Sequence, residues 1–135
     1  MKMIGMKRVW CAIVLSAMWL HAFGWLNDAQ LYDLTGSVDG KYPVTIYLVK
    51  DGNALSGKYF YHSTIARQGV KPSSYLYIDG QWRDDWMKVN VYDVNGNFIE
   101  RWEGVFNSGN RSCSLECKIT KPSGKRMTVE ADEYF

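Results

Sequence analysis

Turn signals recur along this chain at nearly even spacing, and the residues between them alternate in polarity. Asp39-Gly40, Asp51-Gly52-Asn53, Asn95-Gly96-Asn97, Ser108-Gly109-Asn110 and Pro122-Ser123-Gly124 each supply residues that accept the positive φ a tight hairpin needs. The runs they separate cover about 31–38, 41–50, 54–62, 74–83, 86–94, 97–106, 111–120 and 125–134, and none carries a helical period. Hairpins in series make an antiparallel meander. Eight strands of this length can close on themselves, which removes the edges that would otherwise pair with other chains. The expected fold is therefore all-β, an eight-stranded antiparallel up-and-down barrel, with a two-layer sandwich as the alternative. One connection is long, Ser63 to Ser73, and is expected to form a rim loop.

Alternation assigns the faces, because successive side chains of a strand point to opposite sides of the sheet. One parity collects Leu34, Gly36 and Val38; Val44, Ile46 and Leu48; Leu55, Gly57, Tyr59 and Tyr61; Leu76, Ile78, Gly80 and Trp82. It continues through Met87, Val89 and Val91; Phe98, Trp102, Gly104 and Phe106; Cys113, Leu115, Cys117 and Ile119; Met127, Val129 and Ala131. This set is expected inside. The opposite parity carries Lys58, Lys88, Arg101, Glu103, Glu116, Lys118, Glu130 and Asp132, a wet exterior. Such a surface excludes a transmembrane barrel despite the terminal Tyr134-Phe135, since lipid-facing charges cost about 2–4 kcal/mol each near the bilayer midplane.

The first 24 residues read as a secretory leader and the remaining 25–135 as one domain. Lys2, Lys7 and Arg8 precede a largely apolar run from Val9 to Leu20, too short for a mature span, and Ala22 and Gly24 sit where a signal peptidase reads. Cys11 lacks the small-residue context of a lipidated cysteine. The leader holds three of the 16 Lys and Arg and none of the 14 Asp and Glu, which leaves 13 basic against 14 acidic residues. Without a basic excess no nucleic-acid partner is expected. The protein is expected to be exported, to the periplasm or beyond the cell.

Catalytic constellations are missing. His62 is the single histidine after the leader, and no nucleophile elbow, His-Glu-x-x-His or phosphate loop occurs. No enzyme activity, metal or cofactor is expected. Asp84 and Asp85, being adjacent, belong in a turn. The Asp93 to Asn97 segment suits a hairpin better than a calcium loop, because the terminal bidentate Glu is absent. Asn110-Arg111-Ser112 matches a glycosylation sequon. Glu100 stands out: its parity points it inward, where a carboxylate needs a partner or a proton, unless a rim position or a bulge turns it outward. Cys113 and Cys117 are a disulfide candidate by count. On one unbroken strand, however, they lie ~13 Å apart, given a rise of ~3.3 Å per residue, and a bridge allows at most ~7 Å. Either the strand breaks between them or both are buried thiols.

Leu34-Thr35-Gly36, the hairpin to Asp51-Gly52, Leu55-Ser56-Gly57-Lys58-Tyr59 and Trp102-Glu103-Gly104-Val105-Phe106 resemble the strand grammar of avidin-type, lipocalin-like and related small exported bacterial barrels. The likeness covers about half of residues 25–135. It implies a barrel that carries a small, partly apolar ligand inside. Biotin itself does not carry over, because the early Asn and Ser that hold its ureido group have no counterpart here.

Two binding roles follow. In the first, the protein binds an envelope or extracellular protein, or a second copy of itself, through outward-facing Tyr47, Lys58, Phe60, Tyr75 and Tyr77, which neighbouring strands bring together. In the second, Tyr59, Tyr61, Trp82, Glu100 and Trp102 line an opening for a small, partly apolar ligand.

Overall fold

A computed structural model describes residues 29–64, 74–109 and 111–134. The strands are β1 (Gln30–Val38), β2 (Tyr42–Asp51), β3 (Ala54–Tyr61), β4 (Leu76–Arg83), β5 (Trp86–Tyr92), β6 (Phe98–Ser108), β7 (Ser112–Thr120) and β8 (Arg126–Tyr134). Each pairs antiparallel with the next and β8 returns to β1, so the sheet closes as a barrel in sequence order. The barrel, rather than the sandwich, is the fold. The long connection begins as a 3-10 turn, His62–Thr64. Its remainder lies outside the described residues, as do the expected leader at 1–24 and Asn110 of the sequon.

Turn chemistry sets the two rims. The upper rim carries the turns at 39–41, 93–97 and 121–125, and the lower rim those at 52–53 and 84–85. Between β4 and β5 both link residues are left-handed, Asp84 at φ 53 and Asp85 at φ 67, a geometry that aspartate tolerates better than most residues. In the β5–β6 turn the Asp93 carboxylate accepts from the Asn95 and Asn97 amides, both at 2.9 Å, and from Asn97 Nδ2 at 3.2 Å. Those donors, Asn97 first, hold it below the usual carboxylate range. Its lone pairs stabilise a hairpin.

Inward parity holds around the ring. Leu34, Val38, Val44, Ile46, Leu55, Tyr59, Met87, Val91, Trp102, Phe106, Ile119 and Val129 are fully buried and form one core. Burial of this apolar surface is the dominant favourable contribution to folding, and in a barrel this narrow the side chains themselves fill the inside. Phe98 is the exception. Its parity predicts burial, yet it is 43% exposed. The β5–β6 register shifts between Val91, which pairs with Glu100, and Tyr92, which pairs with Phe98. Ile99 is the extra residue of a β-bulge and packs against the core, and the slip turns Phe98 out.

The β1–β8 seam is the shortest ladder: four pairs, from Thr35 with Asp132 to Val38 with Val129. Side chains extend it. Thr128 N donates to Asp39 Oδ1 at 2.8 Å above the ladder, and Asp33 N to Glu133 Oε1 at 3.1 Å below it. Gly36 lies within the seam because a Cβ there would land on the Glu130 carbonyl oxygen.

Candidate functional site

Near the upper rim, β6 carries Glu100 and Trp102 on one inward face, and β3 sends Tyr59 across the interior to meet them. The Tyr59 and Trp102 rings lie 4.8 Å apart, so together they fill the barrel's width. Glu100 is 1% exposed. Its Oε2 accepts from the Tyr59 hydroxyl and the Trp102 indole N–H, both at 2.7 Å, and its Oε1 accepts from Lys121 Nζ at 3.0 Å. Lys121 belongs to the β7–β8 turn and keeps about a third of its side chain in solvent, so it caps the interior from the rim. Charge-assisted bonds of this kind are what make a buried carboxylate tolerable. Tyr61 hydrogen-bonds to Tyr59. Because Tyr59 gives its proton to Glu100, Tyr61 is the donor in that bond. Burial first, and the Glu100 charge second, push the Tyr59 hydroxyl far above its ordinary value, so it stays protonated. The node binds a charge tightly and leaves it no free face.

Four of the five interior candidates, Tyr59, Tyr61, Glu100 and Trp102, therefore come together. Trp82 does not. Its indole donates to the Phe106 carbonyl at 2.8 Å at the opposite end, and the Lys50 ammonium sits 4.2 Å over its ring. Parity assigns a face but not a height along the barrel, which is why the five read as one group. Lys121 was not among the expected site residues. The signal for it is the β6–β7 register: Arg101 pairs with Thr120, so one further step sets Glu100 beside Lys121.

All five exterior candidates meet on the outer face of β2–β4. Lys58 is cross-strand partner to Tyr47 on one side and Tyr77 on the other, and its ammonium lies 4.3 Å from the Tyr75 ring centre. Phe60 points outward and is nevertheless only 7% exposed. Tyr75, His62 and Tyr47 surround it at 5.5, 5.8 and 6.4 Å between ring centres. His62 Nε2 is held 2.8 Å from Thr45 Oγ1, so the histidine belongs to this cluster. Burial raises the hydroxyl pKa of Tyr47 and of Tyr77. The row continues to Tyr92, which pairs with Tyr77, and to the displaced Phe98. Parity places Tyr92 outside, but Phe98 escapes a reading by parity because the bulge alone turns it out.

Strand β7 runs unbroken through Cys113 and Cys117, so no disulfide joins them; both are buried free thiols on the inward face. Burial, with Glu133 beside Cys113 and Glu116 near Cys117, pushes them up to about 11 and about 12. At pH 8 such thiols are at most about one part in a thousand thiolate, against roughly a quarter for a free cysteine. Native-state labelling of these two positions by an aromatic disulfide reagent is expected to be at least ~100-fold slower than in denaturant. Comparable rates in the two states would contradict the burial.

Among the described residues no three His, Cys, Asp or Glu converge as metal ligands would. Among the described residues, open clefts lie on both rims, one of about 330 Å³ beside Gln81 and Trp82 and one of about 540 Å³ beside Lys41 and Glu130. No family model, curated protein or solved structure matches the chain. Of the expected likeness, the closed eight-stranded antiparallel barrel is what the structure shows.

Proposed function

We propose that the protein is an exported, non-enzymatic binding module that engages an envelope or extracellular protein, in the manner of an inhibitor or immunity protein, through the outer aromatic face of β2–β4. One observation carries this reading: Tyr47, Phe60, Tyr75 and Tyr77 cluster on the outside around a single cation, Lys58. Tyrosine offers large contact area at low entropic cost and is enriched where proteins meet. The interior supports a carrier role less well. Tyr59, Trp102 and Phe106 are fully buried against their neighbours, and the Glu100 node already has its donors.

The test compares three baits against extracts of the producing cells: the wild type, Tyr47→Ala with Tyr77→Ala, and Lys118→Ala on the far face. A protein captured by the wild type and by Lys118→Ala, and weakened tenfold or more by the tyrosine pair, is the expected result, since central aromatic contacts are worth ~2 kcal/mol or more. Equal capture by all three baits, with circular dichroism unchanged, would overturn it.

A further inference from the structure

The β5–β6 ribbon carries a second outward surface, which adjoins the β2–β4 face only at the upper rim, where Tyr92 pairs with Tyr77. At its lower end Trp86 stands opposite Val105, 53% and 43% exposed. At its upper end Tyr92 stands opposite Phe98, their rings 6.1 Å apart, and Phe98 is outside only because of the bulge. Between these apolar ends lie Lys88 opposite Glu103 and Asn90 opposite Arg101. Lys88 and Glu103 close no salt bridge with each other or with another described residue. Arg101 Nε donates to Asn90 Oδ1 at 3.3 Å.

The order apolar, polar, polar, apolar is the same read from either end, and along β6 the two middle positions, Glu103 and Arg101, carry opposite signs. We infer that this ribbon is a self-complementary interface and that its occupant is a second copy of the chain, packed face to face about a two-fold axis. An isologous contact requires one patch to complement itself, and the two in-plane axes both satisfy that here. With the axis across the strands, the Trp86 end of one copy covers the Tyr92 end of the other, and Arg101 of each copy faces Glu103 of the other. With the axis along the strands, Trp86 covers Val105 and Lys88 faces Glu103. Either way apolar rests on apolar and Glu103 meets a cation. A partner of unrelated sequence would have no reason to match that palindrome. The ribbon is only two strands wide, smaller than a standard interface of ~800 Å² per partner, so the dimer is weak, with Kd at tens to hundreds of micromolar.

Sedimentation velocity from ~10 μM to ~1 mM tests this, at a concentration range set by that expected affinity. The wild type should pass from monomer to dimer, and Glu103→Lys alone should weaken dimerisation tenfold or more. Arg101→Glu and Lys88→Glu, each alone, should do the same for the axis they serve. The decisive arm is mixing. Glu103→Lys combined with Arg101→Glu restores both charge pairs in a heterodimer if the axis runs across the strands; combined with Lys88→Glu it does so if the axis runs along them. Recovery in one mixture supports the interface and fixes its axis. A wild type that stays monomeric at 1 mM overturns the inference. So does a dimer indifferent to both Glu103→Lys and Trp86→Ser, or two mixtures that associate no better than their components. Because Glu103 lies off the β2–β4 face, its reversal leaves capture through Tyr47 and Tyr77 intact, so the two proposals fail separately.

Discussion

Glu100→Ala is expected to cost about 3–5 kcal/mol of stability, because it orphans two buried donors at ~1–3 kcal/mol each and opens a cavity between them. The Tyr59 hydroxyl and the Trp102 N–H both end on Glu100 Oε2, and neither reaches water. Lys121→Met attacks the same node from its exposed side. It leaves a buried carboxylate with two neutral donors, normally a severe loss, but the lysine is a third in solvent and water can take its place at the rim. About 1–3 kcal/mol is the corresponding expectation. Guanidinium unfolding followed by tryptophan fluorescence gives both values, with Glu100→Ala the worse of the two. Removing Glu100 and Lys121 together should cost less than the sum, since each substitution strands what the other removes. If Glu100→Ala unfolds within 1 kcal/mol of wild type, the node makes no net contribution.

Gly36→Ala is expected to prevent closure, at a cost above about 3 kcal/mol, the range reserved for steric conflict with backbone. The added methyl would meet the Glu130 carbonyl oxygen and the Ala131 Cα, neither of which can rotate away. The seam has only four residue pairs over which to distribute the displacement. Gly40→Ala is the matched control: its φ of +67 carries a conformational penalty of about 1 kcal/mol, but nothing lies within 4 Å of the new carbon. Size-exclusion chromatography with circular dichroism should show Gly40→Ala as a folded species and Gly36→Ala as an expanded or aggregated one. Two folded proteins of equal stability would mean that β1 and β8 tolerate separation.

What was legible in the chain was whatever depends on period two. Val44, Ile46 and Leu48 against Thr45 and Tyr47 declare the face of β2 without any tertiary information, and the Asp-Gly and Asn-Gly steps declare where β1, β2 and β5 end. Legibility fails where a single inserted residue changes the phase. Ile99 reverses Phe98 and leaves Glu100 inside, so a bulge near this carboxylate is present but acts on its neighbour. It also fails along the barrel axis, as Trp82 illustrates. The partner of Glu100 could be found only through register, because Lys121 is a turn residue whose own neighbours Pro122, Ser123 and Gly124 say nothing of a buried anion.

Neighbours in space are neighbours in sequence at every ladder but one. Seven hairpins can form and grow locally on a fast timescale, yet the pairing of Thr35 with Asp132 must await the synthesis and arrival of the last strand. Until then β1 on one side and the latest strand formed on the other each present a free backbone edge able to template another chain. A nascent or truncated polypeptide lacking its final segment is thus the species at greatest risk of aggregation, and a chaperone shielding either edge would protect the whole molecule during its slowest step.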